Sequence, residues 1–319
     1  MADSPLLVMT HVARRFGRIR AVEDASLAVP RGAIVGVLGE SGSGKSTLAR
    51  LATGLLRPDS GEIRYAGAPL HPPSGLLRGL LAPAPARRRI AMVFQDPASS
   101  FDPRWSIGRS IAEPIVAFGL RIGRTGVKNR AIELMASVGL PEQMIDERPT
   151  ALSLGQVQRA AIARALAGEP DLMVCDEAVS ALDLSVQALV LNTLSDVRRR
   201  DGISLLFISH DVGVVRHMSD LVAVMLRGRV VEFAVADQVF ARPLHPYTQF
   251  LIESVPELGA PRIATKLPAA DYVPPTAAAG QCAFAPRCSL AVGRCFKETP
   301  PLVEVDGTAV ACHVIASST

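Results

Sequence analysis

A short glycine-rich stretch carries the strongest chemical signal in the sequence. Residues 39–46 read Gly-Glu-Ser-Gly-Ser-Gly-Lys-Ser and fit the spacing G-x-x-x-x-G-K-S/T. Glycines at this spacing let backbone N–H groups face phosphate oxygens, while the lysine reaches the β and γ oxygens and the serine hydroxyl takes Mg²⁺. We predict that a nucleotide, expected to be ATP, is bound by Gly39, Glu40, Ser41, Gly42, Ser43, Gly44, Lys45, Ser46 and Thr47.

Two adjacent carboxylates end an apolar segment farther along the chain. The segment Leu172-Met-Val-Cys-Asp-Glu177 is typical of a buried strand with acidic residues at its tip. Asp176 can hold the Mg²⁺ that Ser46 also contacts, and Glu177 can orient the water that attacks the γ-phosphate. Without the glycine-rich stretch, the same pair would indicate only a solvated strand edge. With it, Glu177 is the predicted catalytic carboxylate.

An α/β fold is needed to position these residues. Helix-like segments at 46–56 and 185–200 alternate with short apolar segments typical of strands, at 34–38, 90–94, 172–175, 204–208 and 221–225. This alternation predicts a mainly parallel sheet covered on both faces. Residues 5–38 begin with β-rich segments, 68–88 indicate a loop or peripheral helix, and 107–168 favour an inserted helical subdomain.

The composition is that of a folded chain with no membrane span of its own. Of 319 residues 49% are hydrophobic, and a net charge of +4 is too small for a nucleic-acid-binding footprint. No apolar run approaches the roughly 18 to 20 residues that cross a bilayer, and the first residues lack the order of a secretory signal. We therefore expect a cytosolic protein with reduced thiols.

A third motif resembles the signature of a known family. Leu152-Ser-Leu-Gly-Gln156, followed by Gln158 and Arg159, is similar to the LSGGQ signature of the ATP-binding cassettes of ABC transporters. The resemblance covers residues 6–247 and implies a P-loop NTPase cassette over 5–250, with a RecA-like core, N-terminal antiparallel strands and a helical subdomain at about 100–168. It also implies that Ser153, Gly155 and Gln156 contact ATP held by a second subunit. The plainer interpretation is that Ser153 only caps a helix.

The same resemblance assigns roles to four further residues. Gln95 looks like the Q-loop glutamine, which senses Mg²⁺ and water, and His210 looks like the switch histidine, which hydrogen-bonds the γ-phosphate. Asp183 lies in a segment similar to the D-loop, and Phe16 stands where family members stack a ring on adenine. Phe16 could equally anchor the first strands to the core. The expected catalytic residues are Glu177, His210 and Gln95, and the expected Mg²⁺ ligands are Ser46, Gln95 and Asp176.

Leu154 departs from the family signature. The family has glycine at this position, where the backbone must approach phosphate closely and without a Cβ. Our hypothesis is that the composite site using this signature is weakened, while Lys45, Asp176 and Glu177 remain competent. A second, different ATPase subunit would then supply an intact signature.

Two segments resemble the ATPases of dipeptide and oligopeptide importers. One follows Gln95 (Asp-Pro-Ala-Ser-Ser-Phe-Asp-Pro-Arg) and the other is Pro243-Leu-His-Pro-Tyr247. In that family a tail with four cysteines follows, and here a Pro- and Ala-rich linker (251–281) leads to a module at 282–319 with Cys282, Cys288, Cys295 and Cys312. The resemblance implies a 4Fe-4S cluster, with zinc as the alternative; four small buried side chains are the third interpretation.

Together these features predict the ATP-hydrolysing subunit of an ABC importer for peptides or a related small solute. Its expected partners are a second ATPase subunit, two transmembrane permeases and an extracytoplasmic solute-binding protein, but no nucleic acid. The chain would lie peripherally on the cytoplasmic face of the membrane. A soluble ABC ATPase acting on nucleic acid is the alternative, and it fits the single set of motifs less well; a non-catalytic binding module is disfavoured by Glu177 and His210.

Overall fold

The computed structural model describes residues 4–71, 84–120, 123–254 and 280–317. Its strands are β1 (Leu7–Phe16), β2 (Ile19–Val29), β3 (Ile34–Leu38), β4 (Ser60–Tyr65), β5 (Ala68–Pro69), β6 (Ile90–Val93), β7 (Leu172–Asp176), β8 (Ser204–Ile208), β9 (Leu221–Leu226), β10 (Arg229–Val235), β11 (Val303–Val305) and β12 (Thr308–Val310). Its helices are α1 (Lys45–Ala52), α2 (Ala84–Arg89), α3 (Ile107–Ala117), α4 (Gly123–Ser137), α5 (Leu154–Leu166), α6 (Leu184–Asp201), α7 (Val212–Met218), α8 (Ala236–Ala241), α9 (Pro246–Glu253) and α10 (His313–Ala316).

All strands of this part of the chain belong to one sheet. Its main path runs β5-β4-β1-β2-β10-β9-β3-β8-β7-β6, and β12 pairs with both β10 and β11. The central strands β9, β3, β8, β7 and β6 are parallel. Every residue of β3, β7 and β8 is buried, as the continuous apolar runs predict for strands covered on both faces. The predicted RecA-like core is confirmed.

The N-terminal strands form the predicted antiparallel part of the sheet. β1 pairs antiparallel with β2 and β4, and β4 pairs in the same sense with β5. One parallel pairing, Arg229 with Asp24, joins β2 to β10 and so to the core. The antiparallel strands and the parallel core thus form one continuous sheet.

Helices cover the two faces of the sheet. Leu48 and Leu51 of α1 are fully buried against one face. On the other face, α3 and α5 place Ile111 and Ile162 in a second core that includes Met173 of β7. These packed helices form the inserted helical subdomain. Within the described residues, no helix combines the length and apolarity needed to span a membrane.

The last described segment, residues 280–317, which we call the tail, adds strands to the cassette sheet. β12 pairs antiparallel with β10, with Glu232 opposite Val310, and the Ala311 N–H donates to the Val231 carbonyl at 2.8 Å. Asp306 and Gly307 turn the β11–β12 hairpin, and both have positive φ. The tail therefore completes its core against the cassette.

Two boundaries differ from the sequence expectations. Helix α1 ends at Ala52, four residues before the predicted end, because Thr53 is its C-cap and Gly54 has a positive φ that ends the helix. Helix α9 runs to Glu253 and so extends into the segment predicted as linker. Most of that linker, residues 255–279, and residues 72–83 of the predicted loop lie outside the described residues.

Candidate nucleotide-binding site

The phosphate loop, residues 39–47, connects the end of β3 to the start of α1. Gly44 is the N-cap of α1 at φ 104°, and a Cβ there would lie 2.2 Å from the Ala21 carbonyl oxygen. A Cβ on Gly39 would lie 2.3 Å from the Met225 carbonyl oxygen. Glycine is required at both positions because neighbouring backbone closes in on the loop. The first N–H groups of α1 have no acceptor within the helix and no side-chain cap, and such groups are the ones that bind phosphate.

Lys45 lies buried inside this loop. Its ammonium donates to the carbonyl oxygens of Gly39, at 2.7 Å, and Glu40, at 2.9 Å. Burial lowers the pKa of Lys45, while the carboxylates of Glu177, Asp176 and Glu40 act in the opposite direction. Lys45 is therefore a buried positive charge that three carboxylates influence.

Ser46 and Asp176 meet as the sequence predicts. The Ser46 hydroxyl donates to Asp176 Oδ1 at 3.0 Å, joining the first turn of α1 to the tip of β7. Burial raises the pKa of Asp176, and the hydrogen bond from Ser46 partly offsets this effect. Hydroxyl and carboxylate oxygens are the ligands that Mg²⁺ prefers, so this pair fits the expected metal.

Glu177 is the point on which the three predicted catalytic residues converge. Its Oε2 accepts a hydrogen bond from Gln95 Nε2 at 3.0 Å and lies 3.4 Å from His210 Nδ1. The Glu177 backbone has φ 48°, a left-handed conformation that is strained for a residue with a Cβ. Its N–H is fixed by the Ile208 carbonyl at 3.0 Å. The structure thus holds the carboxylate off the end of β7, between the strands that carry Gln95 and His210.

The signature residues begin α5 in the helical subdomain. Ser153 is the N-cap: its hydroxyl accepts the Gln156 N–H at 3.3 Å, and its own N–H donates to Gln156 Oε1 at 2.8 Å. Leu154 at the first helical position is 41% exposed. A Cβ on Gly155 would lie 2.2 Å from Val186 Cγ1, so this glycine lets α5 pack against α6. Ser153 therefore caps α5, and its contact with ATP held by a second subunit stays a prediction.

Asp183 and Phe16 lie at the ends of their elements. Asp183 is the N-cap of α6, and its Oδ1 accepts hydrogen bonds from the Ser185 hydroxyl and two backbone N–H groups. These hydrogen bonds lower its pKa. Phe16 ends β1, is 43% exposed, and lies 5.1 Å below the Arg14 guanidinium. Phe16 is therefore not a buried anchor of the first strands.

The segment Pro243–Tyr247 joins the phosphate loop to the sheet and the tail. Buried Glu232 of β10 accepts the N–H groups of Leu244 at 2.8 Å and His245 at 3.0 Å. His245 Nδ1 accepts the Tyr247 N–H, and its ring centre lies 6.2 Å from that of Phe284 in the tail. The Tyr247 hydroxyl accepts the Glu40 N–H at 3.0 Å.

Arg287 of the tail also contacts the phosphate loop. Its two terminal nitrogens lie 2.8 Å and 3.2 Å from the two carboxylate oxygens of Glu40. Sequence reasoning missed Arg287, Glu232, and the role of Tyr247. The only available signal was the unusual Pro-Leu-His-Pro-Tyr segment, which gives no hint of what it contacts.

Comparison with known proteins gives the family. The family model described as ABC transporter matches residues 22–180, and the model described as oligopeptide/dipeptide transporter, C-terminal region, matches residues 231–295. A Sinorhizobium fredii protein named as a probable peptide ABC transporter ATP-binding protein, y4tS, is 48% identical over 300 residues, covering 93% of this chain and 83% of its own. The chain belongs to the ABC transporter ATP-binding proteins.

Other relatives of this ABC ATPase extend the match. The dipeptide transport ATP-binding protein DppF of Escherichia coli is 39% identical, covering 93% of this chain and 87% of its own, and the oligopeptide transport protein OppF of Salmonella typhimurium is 40% identical, covering 92% and 87%. Among solved structures, the dimeric ATP-binding cassette MJ0796 bound to ADP and Pi has TM-score 0.63 and 26% identity, covering 72% of this chain and 98% of its own. CbiO1 of Clostridium perfringens has TM-score 0.65 and 26% identity, covering 75% and 92%. These folds confirm the cassette architecture.

In the tail of the ABC ATPase, Cys295 and Cys312 lie near enough to influence both Cys282 and Cys288. The Cys282 N–H donates to the Cys295 carbonyl at 2.9 Å, and burial raises the pKa of Cys282 and Cys288, with Cys295 and Cys312 adding to the effect. Yet within the described residues no group of three or more His, Cys, Asp or Glu side chains is arranged to hold a metal ion. The 4Fe-4S or zinc site that the resemblance implies therefore stays a prediction. Cys175 is fully buried in β7 and packs in the core.

The buried His245 predicts a pH dependence of folding. Burial lowers its pKa from 6.5 to about 4, so between these values the unfolded chain binds a proton that the folded chain does not. Stability should therefore fall as the pH drops from 7 to 5, by about 2 kcal/mol from this residue. Urea unfolding of the full chain at pH 7 and pH 5 measures this difference in the free energy of unfolding.

The matched variants for this prediction are His245→Asn and His217→Gln. Asparagine keeps an acceptor for the Tyr247 N–H but does not titrate, so the variant should lose this part of the pH dependence. His217 is exposed on α7, and its replacement should leave the dependence as it is. An equal pH dependence in wild type and His245→Asn would contradict the assignment.

Proposed function

We propose that this chain binds MgATP in one half of a composite site and that its hydrolysis drives import of peptides or a related small solute through membrane permeases. The observation that carries the proposal is the convergence of Gln95 and His210 on Glu177. This cluster lies beside the Ser46–Asp176 pair at the mouth of a complete phosphate loop.

Binding of the nucleotide would begin at the phosphate loop. The Gly39 and Glu40 carbonyls that now accept from Lys45 would be exchanged for β and γ phosphate oxygens. Backbone N–H groups of the phosphate loop and of the first turn of α1 would donate to the same oxygens. Ser46, Asp176 and Gln95 would hold Mg²⁺, which neutralises charge on the phosphates. The exposed ring of Phe16 would stack on adenine.

Hydrolysis would depend on the orientation of Glu177. Its carboxylate would accept a hydrogen bond from water and direct the water oxygen at the γ-phosphorus, while the bond to the β–γ bridging oxygen breaks. The products are ADP and phosphate, and the water proton leaves with the phosphate or through Glu177. Gln95 and His210 fix the carboxylate from two sides, and His210 can also donate to the γ-phosphate.

A second ATPase subunit would complete the site. Ser153, Gly155 and Gln156 at the start of α5, and Asp183 at the start of α6, would serve ATP held by that subunit. Support comes from MJ0796, a cassette whose solved structure is described as dimeric and bound to ADP and Pi. Because the exposed Leu154 stands at the first turn of α5, we propose a heterodimer in which the other chain contributes the better signature.

The solute and the membrane partners follow from the relatives. Their names describe peptide, dipeptide and oligopeptide transport, which favours peptide import over action on nucleic acid.

We propose two permeases, an extracytoplasmic solute-binding protein, and a peripheral position of this chain on the cytoplasmic face of the membrane. We propose that the permeases contact a groove of about 420 Å³ between α3 and α4. The groove is lined by Trp105, Arg109 and Val116, which come after the Gln95 segment in the sequence.

The cysteines carry a separate proposal, which comes from the resemblance to the peptide-importer ATPases. We propose that Cys282, Cys288, Cys295 and Cys312 bind a 4Fe-4S cluster, with zinc as the alternative. The supporting observation is that the fold brings cysteines separated by up to thirty positions into mutual electrostatic range.

Glu177→Gln tests the catalytic assignment. Removing the negative charge should lower phosphate release by the assembled transporter at least about 100-fold, because the attacking water loses its acceptor. ATP binding, measured by isothermal titration calorimetry, should persist. Glu133→Gln, which alters an exposed carboxylate on α4, is the control and should keep wild-type activity. A Glu177→Gln variant with more than roughly a tenth of wild-type activity would reject the role.

Leu154→Gly tests the weakened signature. Removing the Cβ should let the backbone approach phosphate more closely and raise ATPase activity of the assembled transporter about two- to tenfold, or roughly 0.4 to 1.4 kcal/mol in the barrier. Leu154→Ala keeps a Cβ at the same place and should gain little. No increase with glycine, or an equal increase with alanine, would sink the hypothesis.

Anaerobic purification of the full chain tests the cluster. A 4Fe-4S cluster would give brown protein absorbing near about 400 nm, with roughly four iron and four sulfide per chain. Cys295→Ser should remove the colour. Colourless protein with stoichiometric zinc would replace the cluster by the alternative metal, and colourless protein without metal would leave four small buried side chains.

A further inference from the structure

Arg287 links the tail to the phosphate loop through a paired contact with Glu40. One guanidinium nitrogen lies 2.8 Å from Oε1, and the other lies 3.2 Å from Oε2. Two parallel N–H···O contacts of this kind fix orientation as well as charge. Glu40 is the second residue of the phosphate loop and stands 247 positions before Arg287 in the sequence. The contact therefore joins the C-terminal tail to the phosphate loop, which lies near the start of the chain.

Aromatic rings hold Arg287 in this geometry. Its guanidinium lies 4.7 Å from the Phe250 ring centre and 5.3 Å from that of Phe284. Phe284 is buried and packs against the Tyr247 ring at 5.5 Å. A stacked arginine loses little additional freedom when it pairs with a carboxylate. The guanidinium is thus presented to Glu40 by packing that includes α9 and the tail.

Tyr247 of the same aromatic cluster holds the backbone of Glu40. Its hydroxyl accepts the Glu40 N–H at 3.0 Å, and the residue is fully buried. Both the main chain and the side chain of Glu40 are therefore fixed by residues outside the loop. This leaves the loop less freedom to lose when it closes around phosphates.

The charge of Glu40 reaches the phosphate pocket. Its carbonyl oxygen accepts the Lys45 ammonium at 2.9 Å, so Glu40 lies directly at the lysine that would bind phosphate. A negative charge that stabilises the lysine ammonium also repels the phosphates of an incoming nucleotide. Asp176 faces the proposed Mg²⁺, whereas Glu40 is met by the guanidinium of Arg287. The pairing removes a repulsion at the mouth of the site.

We propose that the tail is a positioning element of the ATP site and that Arg287 is its positioning residue. By neutralising and orienting Glu40, Arg287 keeps the phosphate loop in a form that binds the β and γ phosphates. The inference rests on the proposed function, since it takes Lys45 and Ser46 to bind MgATP. It adds that residues at the far end of the chain set the affinity for nucleotide.

Arg287→Gln and Arg287→Lys test the proposal in the assembled transporter. Glutamine keeps a polar, hydrogen-bonding side chain but removes the charge, so KM for ATP should rise about three- to tenfold, with kcat within about twofold. Lysine restores the charge and should return KM to within about twofold of wild type. Dissociation constants from isothermal titration of MgATP into the full chain should rank wild type and the two variants in the same order as KM does.

Glu40→Gln separates electrostatic positioning from a structural role of the arginine. Once Glu40 is neutral, adding Arg287→Gln should change KM by less than about twofold, because the two substitutions act on one interaction. Arg294→Gln is the matched control, since Arg294 lies in the same tail and pairs with exposed Glu298. It should leave KM at the wild-type value.

The proposal is overturned by either of two results. An Arg287→Gln variant with wild-type KM and wild-type affinity shows that the contact does not act on the site. An equal loss in the Glu40→Gln background shows that Arg287 only holds the tail together. A wild-type complex that neither binds nor hydrolyses ATP contradicts the proposed function instead, so the two failures are distinguishable.

Discussion

Parallel pairing of β3, β7 and β8 is the constraint on which the site depends. Val37 of β3 lies opposite Ile208 of β8, and Ile208 lies opposite Asp176 of β7, so the three strands end at one edge of the sheet. The phosphate loop, the acidic pair and His210 each follow one of these ends. A shift of one residue in any pairing would turn its side chains to the other face and separate Ser46 from Asp176. Burial of all three strands on both faces fixes the register.

The tail extends the same principle beyond the cassette. β12 adds to β10, and this places Phe284 and Arg287 against the aromatic residues of α9. Buried Glu232 accepts two backbone N–H groups of the Pro243–Tyr247 segment and so fixes where Tyr247 points. Contacts far apart in sequence therefore end on one loop residue, Glu40. In this ABC ATPase, the nucleotide site and the C-terminal segment are parts of one packed structure.

Much of the fold and the site follows from local sequence, and the remainder depends on tertiary contacts. The glycine spacing, the apolar run before Asp176 and the strand before His210 are local signals, and the structure brings these residues together. The pairing of Arg287 with Glu40 leaves no local trace, because either residue alone indicates a solvated charge. The β11–β12 hairpin does have a local signal, because Asp306-Gly307 stands between two short valine-containing segments and both residues have positive φ. Gly155 shows the converse, since a glycine expected to approach phosphate also makes room for Val186.

The most direct measurement is an experimental structure of the assembled transporter with Mg²⁺ and a non-hydrolysable ATP analogue. The account predicts that the Lys45 ammonium leaves the carbonyls of Gly39 and Glu40 for the β and γ phosphates, with the metal between Ser46 and Asp176. It also predicts that Glu177 faces the γ-phosphate while Arg287 remains on Glu40. A nucleotide bound elsewhere, or a Lys45 still held by the two carbonyls beside bound phosphates, would contradict it.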